Sequence, residues 1–276
     1  MEGMKIKLVR VTDSEEHKID QFFDEVEHID VEKVAPEIVQ GKKDLKLGDK
    51  SITEYDALYA ELPEKNAVFG RVMLEMVEEA NVAVNYPSTA FFIMAKKNYL
   101  YYVLHEQDIP APKTMVVASE KAGRNIEREL QPPLVGRNIE DYEETETKKL
   151  EDSEDIQGFI EGVEYEEDVL LFHELEEGDK YYCLVAGDQI ISVKEGSEDW
   201  DFTRDNLKYS NISDTQKEIV RKTVNKIGTD IAEILLVGEN VYDVNPNPDL
   251  EMYQDVSGKS SFEAVAETIK EQVEEK

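Results

Sequence analysis

Cysteine, tryptophan, histidine and long apolar runs are all scarce in this chain, and so is positive charge. Its 276 residues include one cysteine, one tryptophan and four histidines. A lone thiol, Cys183, cannot close an internal disulfide, so a cytoplasmic protein is expected. The longest apolar stretch, Ala90 to Ala95, falls far short of the about 20 residues that a bilayer span needs. No signal-peptide apolar region opens the sequence. With 31 basic against 63 acidic side chains the formal charge is −32, which argues against nucleic acid and anionic membranes as partners. The acids are dispersed rather than gathered in a tail. Such a surface repels itself at low ionic strength and is relieved by salt, so the expectation is a high-salt cytoplasm rather than a basic docking partner.

What is present is enough for a core: 40% of residues are hydrophobic, and the length suits two small domains or one enzyme of several lobes. Strands are expected at Lys5–Val11, within Glu54–Leu62 and at Val82–Pro87. Helices are expected over Glu15–Glu27, through Ile19, Phe22, Phe23 and Val26, and over Val68–Ala80, with Val68, Phe69, Val72, Met73, Met76 and Val77 inward. This alternation over residues 1–90 predicts a small α/β lobe with a largely parallel sheet. A helix over Lys96–Gln107 must stop at Pro110 and Pro112. Further on come a strand at 114–118, an acidic stretch at 138–168 and β-rich segments at 168–173 and 181–193. The last of these turns at Ala186-Gly187-Asp188. A helix follows from Asp214, capped by Ser213 or Asp214, then a hairpin around Gly238-Glu239-Asn240, and a last helix from Ser261 with Phe262, Val265, Ile269 and Val273 inward.

That hairpin carries the strongest local signal. Asp243 and Asn245 are two apart on a strand and share a face. With a three-residue loop Glu233 lies opposite Asn245, and two carboxylates and an amide oxygen converge in a way that suits Mg²⁺. With a two-residue loop Glu233 turns to the other face. An ordinary polar face of an acidic hairpin is the competing reading. Cys183 reads as a packing residue. His17, His28, His105 and His173 show no metal-ligand spacing. Arg204 could pair with Asp201 or Asp205, and Lys96-Lys97 could be a solvated helix start.

Taken in order, several segments resemble the ATP-grasp ligases, in particular the RimK-like and glutathione-synthetase-like branch. They are Tyr242-Asp243-Val244-Asn245-Pro246-Asn247-Pro248 behind Ala232-Glu233-Ile234-Leu235, Ala83-Val84-Asn85-Tyr86-Pro87 with Lys97 and Ile109 to Thr114, Leu170 to Leu175, Leu184 to Ile190, Asp201 to Asn206, and Asp255 to Gly258. The resemblance covers roughly residues 55–270. It implies an ATP-grasp fold, α/β and α+β, with a small Rossmann-like N-terminal lobe at 1–90, a central lobe at 91–173 and a C-terminal lobe at 174–276. It implies an ATP- and Mg²⁺-dependent carboxylate–amine ligase, with Mn²⁺ as an alternative ion. Such an enzyme works through an acyl phosphate on small-molecule or peptide acids and amines, and a homo-oligomer is left open. By the same resemblance Lys97 and Arg137 would contact ATP phosphates. Glu174 and the backbone of Leu175 would meet adenine. Arg204 would steady the γ-phosphate with Asn206 beside it, and Glu233, Asp243 and Asn245 would hold the metal. The acceptor pocket would draw on the N-terminal lobe, where Glu61, Lys65, Asn66 and Arg71 stand near the cleft edge.

The departures are as specific. Arg137 stands where the family has a lysine, and Tyr182 where it has an arginine. Asn138 to Leu150 contains no glycine and five acids, where the family closes glycine-rich backbone over phosphate. The alternative implied by this erosion is a non-catalytic descendant serving as a nucleotide-binding or regulatory module.

Overall fold

The computed structural model describes residues 5–140, 143–163, 168–197 and 199–276. The tip of the acidic stretch, Asp141 and Tyr142, therefore lies outside the described residues, as do residues 1–4.

The first lobe contains β1 (Lys7–Val11), β2 (Glu25–Ile29), β3 (Val34–Val39), β4 (Lys42–Leu47), β5 (Lys50–Ser51), β6 (Ala57–Ala60), α1 (Ala67–Glu79) and β7 (Ala83–Val84). Its main sheet runs β2-β1-β6-β7 and is parallel throughout, with Leu8 beside Ala57 and Val26. The helix expected over Glu15–Glu27 does not form. One 3₁₀ turn at Lys18–Phe22 buries Ile19, and Glu25–Ile29 extends as a strand. The apolar spacing there is shared between a turn and a strand edge, so helical periodicity misreads it. A small antiparallel sheet, β3-β4-β5, was not foreseen. Its central strand, Lys-Lys-Asp-Leu-Lys-Leu, buries only Leu45 and Leu47.

Helix α1 is rolled away from its expected orientation. It buries Ala67, Gly70, Met73, Leu74, Met76 and Val77, and leaves Val68 and Val72 exposed. Gly70 explains the roll. A Cβ there would lie 2.5 Å from Phe91, so glycine lets the next helix approach closely along this side. That helix, α2 (Ser88–Ala95), is followed by α3 (Lys97–Glu106).

The central lobe holds β8 (Thr114–Val117), α4 (Glu120–Gly123), α5 (Ile126–Glu129), β9 (Leu134–Glu140), β10 (Glu143–Leu150), α6 (Ser153–Glu161) and β11 (Asp168–Glu174). Its antiparallel sheet has the order β10-β9-β11-β8. Leu134, Leu150, Leu170 and Phe172 pack with Ile156, Phe159 and Ile160 of α6. Gly136 permits this contact, since a Cβ would meet Leu150 and Phe159 at 2.8 Å.

The third lobe comprises β12 (Lys180–Ala186), β13 (Gln189–Lys194), β14 (Lys208–Tyr209), α7 (Asp214–Ile227), β15 (Ile231–Val237), β16 (Asn240–Asn245), α8 (Leu250–Ser257) and α9 (Ser261–Glu274). Its sheet runs β14-β13-β12-β15-β16. Ser213 and Gln216 form a reciprocal capping box at the start of α7, and Gly228 ends that helix in the left-handed region. Cys183 is fully buried among core side chains, and burial pushes its thiol well above the ordinary range, as a packing role requires. Among the described residues no helix is long and apolar enough to cross a membrane.

Candidate functional site

The β15–β16 hairpin resolves the register question in a way the loop alone does not. Val237 pairs with Asn240, so the loop has two residues, Gly238 and Glu239. On its own this would turn Glu233 away from Asn245. A bulge intervenes: Leu236 pairs with Val241 but Leu235 with Asp243, leaving Tyr242 as the extra residue. Glu233 thereby faces Asn245 directly. Tyr242 is held at three points. Its carbonyl accepts from the Tyr101 hydroxyl at 2.7 Å, its own hydroxyl donates to the Glu174 carbonyl at 3.2 Å, and its ring meets His173 edge-on. The bulge thus sets the candidate metal register and ties it to the expected adenine segment.

Four carboxylate–cation contacts follow. Glu233, 3% exposed, accepts from Arg204 Nη2 at 2.6 Å and Asn245 Nδ2 at 3.4 Å through Oε1, and from the Tyr253 hydroxyl at 2.8 Å through Oε2. Asp243 Oδ1 accepts from Lys97 Nζ at 2.7 Å, and Lys97 also lies 3.3 Å from Glu64. Arg137 donates from Nη1 to Glu144 at 3.0 Å, while its buried Nε has no partner among the described residues. Burial pushes the Glu233 carboxyl up by more than Arg204, Tyr253 and Asn245 bring it down. Asp243 ends below the ordinary range, because Lys97 and Arg137 outweigh its burial. Lys97 ends above its usual value, since Asp243 and Glu64 outweigh desolvation.

The Arg204 loop carries two strained residues. Arg204 and Asn206 both have positive φ, +59° and +52°, where non-glycine residues pay about 1 kcal/mol or more each. Arg204 is turned so that its guanidinium lies 4.8 Å over the Tyr182 ring and reaches Glu233. Asn206 is exposed and makes no hydrogen bond to this cluster among the described residues. Tyr182, found where the resemblance expects arginine, therefore serves as the platform for one.

Glu174 is half-buried and its side chain accepts from the Gln131 N–H at 3.4 Å. The Leu175 N–H is already donated to the Pro133 carbonyl at 3.1 Å. Leu175 lines a cavity of about 990 Å³ together with Lys149, Lys180, Trp200, Phe202 and Tyr242. A second cavity of about 690 Å³ opens at the carboxyl ends of β1 and β6, lined by Ser14, His17, Glu61 and Asn247. His17 is thus a lining residue, 3.2 Å from Glu61. Arg71 instead pairs with Glu75 on its own helix.

Sequence reasoning missed Glu64, Glu144 and Tyr253. Each is one acid or tyrosine among many, and only the fold selects it. The oxygen donors of Glu233, Asp243 and Asn245 suit a hard divalent ion, and Arg204 and Lys97 pair with the two carboxylates. No group of three or more His, Cys, Asp or Glu side chains placed to hold a metal occurs among the described residues, and the Asn245 amide oxygen here accepts from the Asn247 N–H at 2.9 Å.

Comparison with known proteins agrees with this architecture. A probable alpha-L-glutamate ligase of Pasteurella multocida is 22% identical over 220 residues, 75% of this chain and 70% of the relative. The solved ATP-grasp ligase PsnB, complexed with a phosphomimetic precursor variant, Mg and ADP, superposes with a TM-score of 0.72 at 14% identity, covering 98% of this chain and 100% of that one. A RimK domain ATP-grasp protein from Sphaerobacter thermophilus gives 0.70 at 15% identity over 96% and 99%. No family model matches the chain. The chain has the ATP-grasp fold, of the kind seen in RimK-like ligases.

Proposed function

We propose that the protein is an ATP-dependent carboxylate–amine ligase acting on small-molecule or peptide substrates. A carboxylate oxygen of the acid takes the γ-phosphoryl group and ADP leaves. The amine nitrogen then bonds to the acyl carbon as phosphate departs. The observation that carries this reading is the bulged β15–β16 hairpin, which gathers Glu233, Asp243 and Asn245 within reach of Lys97 and Arg204 on the ATP-grasp scaffold.

In this reading adenine lies against Leu175 in the 990 Å³ cavity, with Glu174 next to it in the chain. Lys97 and Arg137 turn from Asp243 and Glu144 toward phosphate oxygens. Arg204 turns from Glu233 toward the transferring group, where fixed positive charge favours the transition state. Glu233, Asp243 and Asn245 would hold Mg²⁺, or Mn²⁺ in its stead, which supplies charge neutralisation to the triphosphate. The three-lobe division at residues 90 and 173 and a high-salt cytoplasmic setting for the −32 surface belong to the same proposal. A non-catalytic role is less favoured, because the metal donors and the cations beside them are present together.

The test is a thermal shift with ATP and Mg²⁺ in high salt, followed by phosphate release over a panel of acids and amines. A ligand bound only by the native state must raise the midpoint. The reading expects a shift with ATP and Mg²⁺ and phosphate release with at least one acid–amine pair. A chain that neither shifts nor releases phosphate refutes it.

A further inference from the structure

The roll of α1 leaves an apolar stripe that folding does not use. Val68 and Val72, one turn apart, are 56% and 37% exposed, although six other residues of α1 supply its core face. Val68 forms one wall of a cavity of about 620 Å³ between the first and central lobes. Phe92 and Tyr99 continue that wall, and Ile139 and Val169 face it from β9 and β11. Phe92 and Tyr99 meet edge-to-face at 6.1 Å, which fixes their planes. The floor is Lys97, so the cavity opens directly on the candidate phosphate site.

Two lysines, Lys96 and Lys97, and two acids, Glu64 and Glu144, line this cavity, and the acids are the more open to it: Lys96 is only 6% exposed. Glu64 and Glu144 keep 30% and 33% of their side chains open to solvent. Lys97 keeps 9%, and its ammonium is turned inward to Asp243 and Glu64. An occupant therefore meets carboxylate oxygens at its polar end and apolar or aromatic surface along its body.

Building on the ligase reading, we infer that this cavity binds the amine substrate, a primary ammonium carried on an apolar, aromatic-sized body. The ammonium is received by Glu64, with Glu144 beside it. The body lies against Val68, Phe92 and Tyr99. Such a pocket selects by both ends: an acid of the same shape meets two carboxylates, and a polar amine leaves the apolar wall wet.

The test uses the full chain with phenethylamine, ethanolamine and phenylpropionate as probes, measured by calorimetry and ligand-observed NMR. Phenethylamine is expected to bind saturably, with ethanolamine and phenylpropionate each at least about tenfold weaker. Glu64→Gln is expected to weaken phenethylamine about fivefold or more, and Tyr99→Ser by a similar factor. Tyr99 is exposed, so the second change leaves the fold intact. Equal or tighter binding of phenylpropionate, equal binding of ethanolamine, or two variants that bind phenethylamine like the parent would each overturn the inference. The ATP–Mg²⁺ shift is read on the same samples. A chain that shifts with nucleotide but ignores phenethylamine refutes the amine cavity and leaves the ligase reading standing. One that binds phenethylamine without a nucleotide shift or phosphate release keeps the cavity and refutes the ligase.

Discussion

Two hairpins in this molecule use the same device to opposite ends. In β15–β16 a bulge at Tyr242 sets Glu233 opposite Asn245, with Asp243 two residues before Asn245 and held by Lys97. In β9–β10 a bulge falls between Glu144 and Glu146, and Glu144 closes over Arg137. The first hairpin is buried and cross-braced: Tyr253 and Arg204 grip Glu233, and Tyr101 grips the bulge itself. The second presents acids where the family closes glycine backbone over phosphate, and Glu144 remains one-third exposed. In the proposed reading the first hairpin is a braced set of metal donors, and the second a counter-ion that phosphate displaces. Candidate phosphate cations are held by the protein's own carboxylates in both, but only the second hold is soft.

The largest effect should come from the rigid half. Asp243→Ala removes a candidate ligand and the principal partner of buried Lys97. Stability should fall by about 3 kcal/mol, the scale for breaking a buried pair, and the ATP–Mg²⁺ thermal shift should disappear. A mutant that melts and shifts like the parent would erase the distinction between the hairpins. Glu233→Gln keeps shape and the Tyr253 contact but removes charge. Phosphate release should drop at least about 100-fold, with a smaller loss of melting temperature than for Asp243→Ala.

The soft half should answer in the other direction. Glu144→Ala frees Arg137, and nucleotide affinity measured by calorimetry should rise by about five- to tenfold. A fall would mean that Glu144 positions Arg137 rather than masking it. Salt gives a further handle. Added potassium chloride screens the repulsion between the acidic β9–β10 hairpin and a triphosphate, so the nucleotide dissociation constant should fall as salt rises. That slope should flatten in Glu144→Ala.

The smallest effect concerns acid. The Asp243 carboxyl is depressed by Lys97 and Arg137 despite its burial, so its contribution to stability is present above the ordinary carboxylate value of about 4. It is lost as pH falls through the depressed value. The melting-temperature advantage of the parent over Asp243→Asn should therefore be full at neutral pH and shrink on acidification. Glu233 has the opposite sign. Its carboxyl is raised by burial, so it costs stability at neutral pH and is relieved as pH falls toward that raised value.

Much of the scaffold was legible from local patterns. The cap of α7 at Ser213 or Asp214, Phe262 with Val265 and Ile269, and the turn at Ala186-Gly187-Asp188 are signals that neighbours in sequence complete among themselves. The 15–27 segment and the orientation of α1 were not legible. The first divides one apolar spacing between a turn and a strand, and the second depends on how closely Phe91 approaches Gly70. At the site, the strand alternation itself pointed to Glu233, Asp243 and Asn245, whereas Lys97 and Arg204 were nameable only through the family resemblance. Asn206 was named as well, but it makes no hydrogen bond to the others.

By itself the sequence determined the acidic surface, the α7 cap, the last helix and the chemistry on offer near residues 233–245: oxygens in the hairpin and cations elsewhere in the chain. Only the tertiary structure decided which oxygen meets which cation. A two-residue loop would have scattered the donors, and the bulge that restores them is pinned by Tyr101, Glu174 and His173, far away in sequence. Strand register depends on contacts that no local segment contains.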